Sequence, residues 1–328
     1  MHKLHAALFC AAALALGLLA SPTKAEPLRV VVSIKPLHSL VSMVLDGIAE
    51  PYLIVKGASS PHGHALRPSD AKALADAHAV FWIGPNLETF MVKPLESLPV
   101  SARVVALMDR GAHSGHVHSG VKDAANKGTD AHTHEYKDST DRAHEHGHEH
   151  EHEHGDVDPH IWLSPQHAVE IIEHVAATVS DIVPAAADRV SANRDRAIEE
   201  LIDVDAEVRR LIKPMHDEYL VTLHEAYTHF TNHYGLRDFI ALSVTPEHKP
   251  TPGRISEVRR MINEYFVRCV FAEPQFPDTY VRLLTEGTRA QADVIDPLGA
   301  RLRPGPDLYP QLIRLMGFAI RGCYEETS

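Results

Sequence analysis

The chain has 328 residues, of which 44% are hydrophobic and 23% charged, and its formal net charge at neutral pH is −12. An acidic surface repels the phosphates of nucleic acids and of anionic lipids, so the composition argues against nucleic-acid binding and against a membrane-surface function. The length is sufficient for two domains of ordinary size, each with its own hydrophobic core.

Residues 1–25 have the pattern of a secretory signal peptide. Lys3 precedes an apolar run over residues 4–20, and Ala25 is the expected cleavage point. The run is too short for a convincing membrane span, and Cys10 lies inside it, which argues against a lipid anchor. We therefore predict a periplasmic protein that is not membrane-embedded. Its net charge changes from −12 to −14 once Lys3 and Lys24 are removed with the signal peptide.

Two cysteines, Cys269 and Cys323, remain after cleavage. Export to an oxidising compartment favours a disulfide between them. Two buried free thiols are the alternative. A zinc site built on these cysteines is disfavoured because neither has a close cysteine partner in the sequence.

Short apolar runs alternate with helical patterns through the first half of the chain, which is typical of βα units and a mostly parallel sheet. The predicted elements are, in chain order, a strand at 28–34, a helix at 36–45, a strand at 52–55, a helix at 68–77, and strands at 80–83 and 104–107. They form an N-terminal α/β lobe over residues 26–187.

A long amphipathic helix is predicted over residues 188–212, because apolar residues recur there at steps of three, four or seven with charges between them. Pro214 follows its end. We assign residues 188–213 as a rigid linking helix between two lobes.

The alternation of strands and helices restarts after the linking helix and defines a C-terminal α/β lobe over residues 214–328. Its predicted elements are a strand at 219–223, a helix from 226, a helix at 255–266, a strand at 269–272, a helix at 278–286, a strand at 293–295 and a helix at 309–321. The predicted fold class is therefore α/β, with two lobes and mostly parallel sheets.

Residues 111–155 differ in character from the rest of the chain. They contain eleven histidines, many acidic residues and almost no large apolar side chains. Such a segment cannot bury enough surface to offset its conformational entropy, so we predict a disordered insertion in the first lobe. Histidine-rich tracts of this kind bind metal, and we expect an auxiliary zinc collector that is separate from the principal site.

Four side chains stand where open α/β sheets place ligand-binding groups. His62, His224 and Asp296 each follow a predicted strand, and His160 precedes a helix start at Pro165. A single histidine in such a place is more often a hydrogen-bonding loop residue than a metal ligand. The combination with an export signal and a histidine-rich insertion favours a metal site. Neutral imidazoles suit zinc, whereas manganese and magnesium favour oxygen-rich sites; copper and nickel also fit these residue types.

Seven motifs, taken together, carry a resemblance to a known family. They are Ser-Pro-His at 60–62, Leu-Arg-Pro-Ser-Asp at 66–70, Phe-Trp-Ile-Gly at 81–84, Asp-Pro-His-Ile-Trp-Leu-Ser-Pro at 158–165, His-Glu-Ala-Tyr at 224–227, Phe-Ala-Glu-Pro-Gln at 271–275 and Asp-Pro-Leu-Gly at 296–299. In this order, over essentially the whole mature chain, they resemble the zinc-binding proteins of high-affinity zinc ABC importers, the ZnuA type.

The resemblance implies a metal site in a cleft between two α/β lobes. It places the three zinc histidines of the family on His62, His160 and His224, with Asp296 completing or flanking the site. Some relatives have a glutamate directly before the first histidine, where this chain has Pro61. That departure leaves Asp296 or water as the expected fourth ligand. Manganese and iron relatives tend to have a carboxylate at the position of His224, so the resemblance favours zinc.

The resemblance also implies the partners, which are the zinc ion, a cognate ABC permease and its ATPase. It further implies the disulfide between Cys269 and Cys323, which many zinc members have in the second lobe. We expect a monomer that transports and has no catalytic activity.

Three other functions remain as alternatives. A zinc metallohydrolase would use Glu225, beside His224, as its general base, but the compact His-Glu-x-x-His motif is absent because His229 comes one place too late. A periplasmic metal buffer or adhesin would use the same fold without a transporter. Transport of another divalent transition metal is the third alternative.

Several other residues that could bind metal are expected to have structural roles. His64 varies among relatives, and Glu273 is expected to support the site and not to bind the metal directly. The remaining histidines of residues 26–328 outside the insertion are expected at the surface or in packing, and they are His38, His78, His167, His174, His216, His229, His233 and His248.

Overall fold

The computed structural model describes residues 26–97, 102–108 and 158–326. The predicted signal peptide and the histidine-rich insertion lie outside these ranges. Within them the strands are β1 (Val30–Val32), β2 (Tyr52–Leu53), β3 (Ala79–Trp82), β4 (Arg103–Ala106), β5 (Leu220–His224), β6 (Ile240–Ser243), β7 (Cys269–Ala272) and β8 (Gln291–Val294). The α-helices are α1 (Lys35–Val44), α2 (Pro68–Ala75), α3 (Thr89–Ser97), α4 (Pro165–Ile182), α5 (Ala187–Ile212), α6 (Thr228–Tyr234), α7 (Pro252–Glu264), α8 (Thr279–Thr285) and α9 (Leu308–Glu326). In the part of the chain so described, no helix is both long and apolar enough to cross a membrane.

The strands form two four-stranded parallel sheets, one in each half of the chain. The first has the order β2-β1-β3-β4, and the second has the order β6-β5-β7-β8. The central strands β1, β3 and β5 are buried along their whole length, as expected for parallel strands covered by helices on both faces. The predicted fold class, two α/β lobes with parallel sheets and a long helix, is confirmed.

The long helix α5 runs over 26 residues. The apolar positions predicted from the periodicity include Val190, Leu201 and Val208, and all three are buried. Asn193 is buried on the same helix and donates from Nδ2 to the carbonyl of Val44 at the end of α1. One continuous hydrophobic core joins α5 to elements of both halves of the chain, including the last helix α9. This packing holds the two sheets in a defined relation.

Two elements were not predicted, and the bounds of others differ by a few residues. The helix α3 was missed because Pro94 interrupts its pattern. The strand β6 was missed because it is short and lies at the edge of its sheet, so only alternate residues are buried. β5 runs one residue further than predicted and ends at His224.

The turn after β8 is held against the first half of the chain by a buried lysine. Lys35, only 4% exposed, donates from Nζ to the carbonyls of Gly299, Ala300 and Leu302 at 2.6, 2.9 and 2.7 Å. Burial lowers the pKa of Lys35. Three carbonyl acceptors offset much of the desolvation cost of the ammonium group. This turn therefore has a fixed position between the two sheets.

The predicted disulfide is present in the structure. Cys269 on the central strand β7 is joined to Cys323 on α9, with their Cα atoms 6.2 Å apart. Both residues are buried. The bridge fastens the last helix to the second sheet.

Glu88 is fully buried near the carboxyl end of β3, and its ionisation makes stability depend on pH. Its Oε1 accepts a hydrogen bond from Ser33 Oγ at 2.5 Å, and its Oε2 accepts one from the backbone N–H of Gly84 at 2.9 Å. Burial outweighs these bonds and raises the pKa of Glu88 from its usual 4.5 to about 7.

We expect Glu88→Gln to remove a pH-dependent part of the stability. In the unfolded chain the carboxyl ionises near pH 4.5, whereas in the folded protein it holds its proton to about pH 7. The protonated Glu88 carboxyl therefore makes its full contribution to the free energy of unfolding below pH 4.5. Up to about 3 kcal/mol of this contribution is lost as the pH rises through 7. Urea unfolding from pH 4.5 to 8 should show this difference between wild type and variant, with Glu264→Gln as an exposed control. Parallel profiles for wild type and Glu88→Gln would contradict it.

Candidate metal centre

Three histidines from separate parts of the chain meet between the two sheets. His62 lies in the loop after β2, His160 lies just before the short helical turn that precedes α4, and His224 is the last residue of β5. Each offers one ring nitrogen, and these nitrogens all lie within 4.8 Å of one another. The ring centroids are 5.5 Å apart for His62 and His160, 5.3 Å for His160 and His224, and 6.4 Å for His62 and His224.

The orientation of His224 is set by Glu273, which follows β7. Glu273 Oε1 accepts hydrogen bonds from the backbone N–H groups of Leu223 and His224 at 2.8 and 3.1 Å. Its Oε2 contacts Nδ1 of the His224 ring. This contact turns the Nδ1 side of the His224 ring toward the carboxylate. Glu273 thus braces the end of β5 beside the three histidines.

The orientation of His160 is set by Asp158, a residue that the sequence analysis did not single out. Asp158 Oδ1 accepts from the backbone N–H of His160 at 2.9 Å and lies 2.7 Å from Nδ1 of its ring. This arrangement also leaves Nε2 toward the centre. A carboxylate two residues before a histidine, with Pro159 between them, is the signal that could have identified it.

His62 is the least enclosed of the three, yet its Nε2 is buried and makes no hydrogen bond within the described part of the chain. Its backbone N–H donates to Ser60 Oγ at 3.2 Å. A buried ring nitrogen without a partner costs free energy unless something binds it. A metal ion held by all three histidines would satisfy it.

The electrostatics keep His62 and His160 in the form that binds metal. Burial, and next the neighbouring His160 and His224, lower the pKa of His62 to about 3. Burial also lowers the pKa of His160, against the opposing effect of Asp158. Burial acts against ionisation of Asp158 too, but its hydrogen bond to His160 holds the pKa of Asp158 at about 2. His62 and His160 are therefore neutral at physiological pH, with a lone pair free for a cation.

Asp296 does not join the three histidines. Its oxygens accept from the backbone N–H groups of Leu298 at 3.1 Å and Ala300 at 2.5 Å, and so they brace the turn after β8. Gln275 Nε2 donates to Asp296 Oδ1 at 3.4 Å. The sequence analysis expected Asp296 to complete or flank the site. The structure places it at the flank, because the tight Asp-Pro-Leu-Gly turn takes up both of its oxygens.

The walls of the centre come from loops of both halves of the chain. The residues that line it besides the three histidines are Ser60, Pro61, Pro246, Gln275, Pro297 and Leu298. Trp162 Nε1 donates to the carbonyl of Pro297 at 2.8 Å, and this bond holds one wall in place. The sequence analysis did not predict that Pro246 and Gln275 line the centre, because proline and glutamine are not typical metal ligands.

Among the described residues, His62, His160 and His224 are the one group of three or more histidine, cysteine or acidic side chains close enough to hold a metal ion together. His64 instead packs its ring against Phe90, with centroids 5.0 Å apart. His233 Nε2 lies 2.7 Å from Oδ1 of Asp205, a residue of α5, so this ring nitrogen already has a partner within the protein.

Comparison with known proteins identifies the family. The model of the ZnuA family, described as zinc-uptake complex component A, periplasmic, matches residues 30–323. This chain belongs to the ZnuA family. The resemblance inferred from the seven sequence motifs is thereby confirmed.

Full-length relatives within the ZnuA family are similar along nearly the whole chain. The high-affinity zinc uptake system protein ZnuA of Brucella abortus is 39% identical over 334 residues, covering 98% of this chain and 99% of the relative. The Yersinia pestis protein of the same name is 31% identical, covering 93% and 94%. The periplasmic zinc binding protein TroA from Treponema pallidum, 18% identical, shares the fold with a TM-score of 0.74 over 91% of this chain and 99% of that protein.

We expect Asp158→Asn to weaken zinc binding about tenfold and Asp158→Ala by up to about a hundredfold, because both lose the charge that holds the His160 ring and the alanine variant also loses the acceptor. Isothermal titration with zinc should be compared with Asp203→Asn, an exposed aspartate on α5. Unchanged affinity in Asp158→Ala would show that His160 needs no support from this carboxylate.

Proposed function

We propose that this protein captures Zn²⁺ at His62, His160 and His224 and delivers it to the permease of an ABC zinc importer. The observation that carries the proposal is the convergence of three ring nitrogens within 4.8 Å, from both halves of the chain. Three imidazole nitrogens and one further ligand form the tetrahedral donor set that zinc prefers.

The position of Glu225 favours transport over catalysis. Glu225, the residue a zinc hydrolase would use as a general base, is exposed and lines a separate groove beside β6. It does not line the centre formed by the three histidines. The family model and the relatives named as zinc uptake proteins support the same conclusion.

The proposal extends to location, partners and domain organisation. In the periplasm the protein would contact the membrane-embedded permease, and through it act with the ATPase of the importer. It would do so as a monomer. We assign residues 26–187 and 214–328 to the two lobes and residues 188–213 to the linking helix. The two parallel sheets and the 26-residue helix α5 between them support this division.

The test of the proposed function is metal titration of the full chain by calorimetry, together with anomalous diffraction at the zinc edge. We expect one tight zinc per chain, centred on the three histidines. A strong peak elsewhere, with none at the three histidines, would refute the assignment. Uptake of radioactive zinc by cells with and without the gene would test delivery.

We expect deletion of residues 115–154 to keep the tight site and to abolish additional weaker sites. The composition of residues 115–154 predicts that each ion bound there must order the chain around it, and this entropic cost lowers its affinity relative to a preformed centre. Thermal stability of the protein without metal should change little, because the deleted residues include almost no apolar side chains. Zinc titration of the deletion variant measures both effects. Loss of the tight site would mean that the insertion supplies a principal ligand.

A further inference from the structure

One residue in the wall of the metal centre has a buried oxygen without a partner. Gln275 lines the centre together with the three histidines, and its Oε1 is buried and makes no hydrogen bond within the described part of the chain. Asp158 and Glu273 each have a buried carboxylate oxygen without a hydrogen bond as well, but neither residue lines the centre. A buried acceptor without a donor costs free energy, so Gln275 Oε1 marks a place where a donor can bind.

The orientation of the Gln275 amide follows from its contact with Asp296. Gln275 Nε2 donates to Asp296 Oδ1 at 3.4 Å. Because a carboxylate oxygen accepts hydrogen bonds, the NH₂ end of the amide must face Asp296, and the carbonyl oxygen is left without a partner. Asp296 is itself fixed by the backbone N–H groups of Leu298 and Ala300.

The backbone of Gln275 is anchored beside His224. Gln275 lies in the turn after β7, which the backbone N–H of Phe276 closes by donating to the carbonyl of Glu273 at 2.9 Å. The Phe276 ring packs against the His224 ring, with centroids 5.5 Å apart. Glu273 also accepts from the backbone N–H of His224. The Gln275 side chain therefore extends from a fixed turn.

Water commonly fills the fourth position of a zinc site that has three protein ligands. The ion lowers the pKa of this water and so makes it a strong hydrogen-bond donor. The Gln275 side-chain oxygen is an uncharged acceptor, and an amide is not among the usual ligands of zinc. It is therefore better suited to bind the water than the ion.

We propose that Gln275 positions the fourth zinc ligand, a water molecule, by accepting a hydrogen bond from it at Oε1. This inference rests on the proposed function, because it requires zinc at the three histidines. Asp296 then acts at one remove, since it orients the amide and the amide orients the water. The fourth ligand is accordingly an exchangeable water and not a protein side chain.

Gln275→Met keeps the length of the side chain and removes its acceptor. It should weaken zinc binding by the full chain on the order of tenfold. The matched control is Gln311→Met, at an exposed position of α9, which should leave the affinity unchanged. Calorimetric titration with zinc measures both. Equal affinity of Gln275→Met and wild type would overturn the proposal.

Azide binding to the Co²⁺-loaded chain distinguishes a bond to the water from a general effect on the wall. Azide replaces a metal-bound water and carries no proton, so it cannot donate to Gln275 Oε1. Gln275→Met should therefore bind azide several-fold more tightly than wild type, the change expected for about one hydrogen bond. The visible absorption of Co²⁺ reports the exchange. Equal or weaker azide binding would show a disturbed wall and overturn the proposal.

The crystal structure of the zinc-loaded wild-type chain gives a readout that does not depend on a variant. We expect a zinc-bound water about 2.5–3.0 Å from Gln275 Oε1. Zinc at the three histidines with a protein oxygen in the fourth position, from Asp296 or another residue, would overturn the role of Gln275 and leave the proposed function standing. Zinc bound elsewhere would refute the proposed function itself.

Discussion

Replacing His224 by alanine is expected to abolish tight zinc binding, and His62→Ala and His160→Ala are expected to do the same. Each variant removes one of three nitrogen donors that converge within 4.8 Å. The loss should exceed the roughly 10- to 100-fold that follows from losing a partner of a zinc ligand, because here the ligand itself is lost. Calorimetry or competition with a chelator of known affinity measures the effect.

The matched control is His174→Ala. His174 lies on α4, away from the centre, and its Nδ1 is 2.7 Å from the backbone carbonyl of Glu170. The His174→Ala variant should keep the tight site, although it loses one histidine just as each variant at the centre does. Circular dichroism of each variant at the centre checks that its fold is intact, since His160 and His224 also contact the buried carboxylates of Asp158 and Glu273. Retention of the tight site in His224→Ala, with the fold intact, would remove the basis of the assignment.

Loss of the disulfide is expected to have the largest effect on stability. The bridge between Cys269 and Cys323 spans a sequence separation of 54 residues. In the chain-entropy model, closing a loop of that length in the unfolded chain contributes about 4 kcal/mol, and measured values are often smaller. Denaturant unfolding of the double variant Cys269→Ala/Cys323→Ala should therefore show a loss of a few kcal/mol.

A reductant provides the control for the disulfide prediction. It should destabilise the wild-type protein by a similar amount and should not affect the double variant. Thiol titration of the unfolded, unreduced mature chain should find no free thiol. Two reactive thiols, or equal stability with and without reductant, would contradict the bridge.

Much of the fold could be predicted because its signals are local. The alternation of buried strands with helical patterns follows from the spacing of apolar residues, and β7 was predicted at its observed bounds, Cys269–Ala272. The long helix α5 was predicted to within one residue of its start for the same reason. The elements missed were those whose local signal is weak, namely the helix interrupted by Pro94 and the edge strand β6.

The sequence by itself also determined which histidines to consider, because strand ends and the Asp-Pro-His motif mark loop positions where parallel sheets carry ligands. Only the tertiary structure decided how those residues are used. Asp158 and Glu273 orient the rings of His160 and His224, whereas the tight turn after β8 engages both oxygens of Asp296. These roles depend on distances between residues that are far apart in the chain or on the direction of a side chain within a turn. The spacing of residues along the sequence encodes neither quantity, because packing between elements sets the distances and the hydrogen bonds of the turn set the side-chain direction.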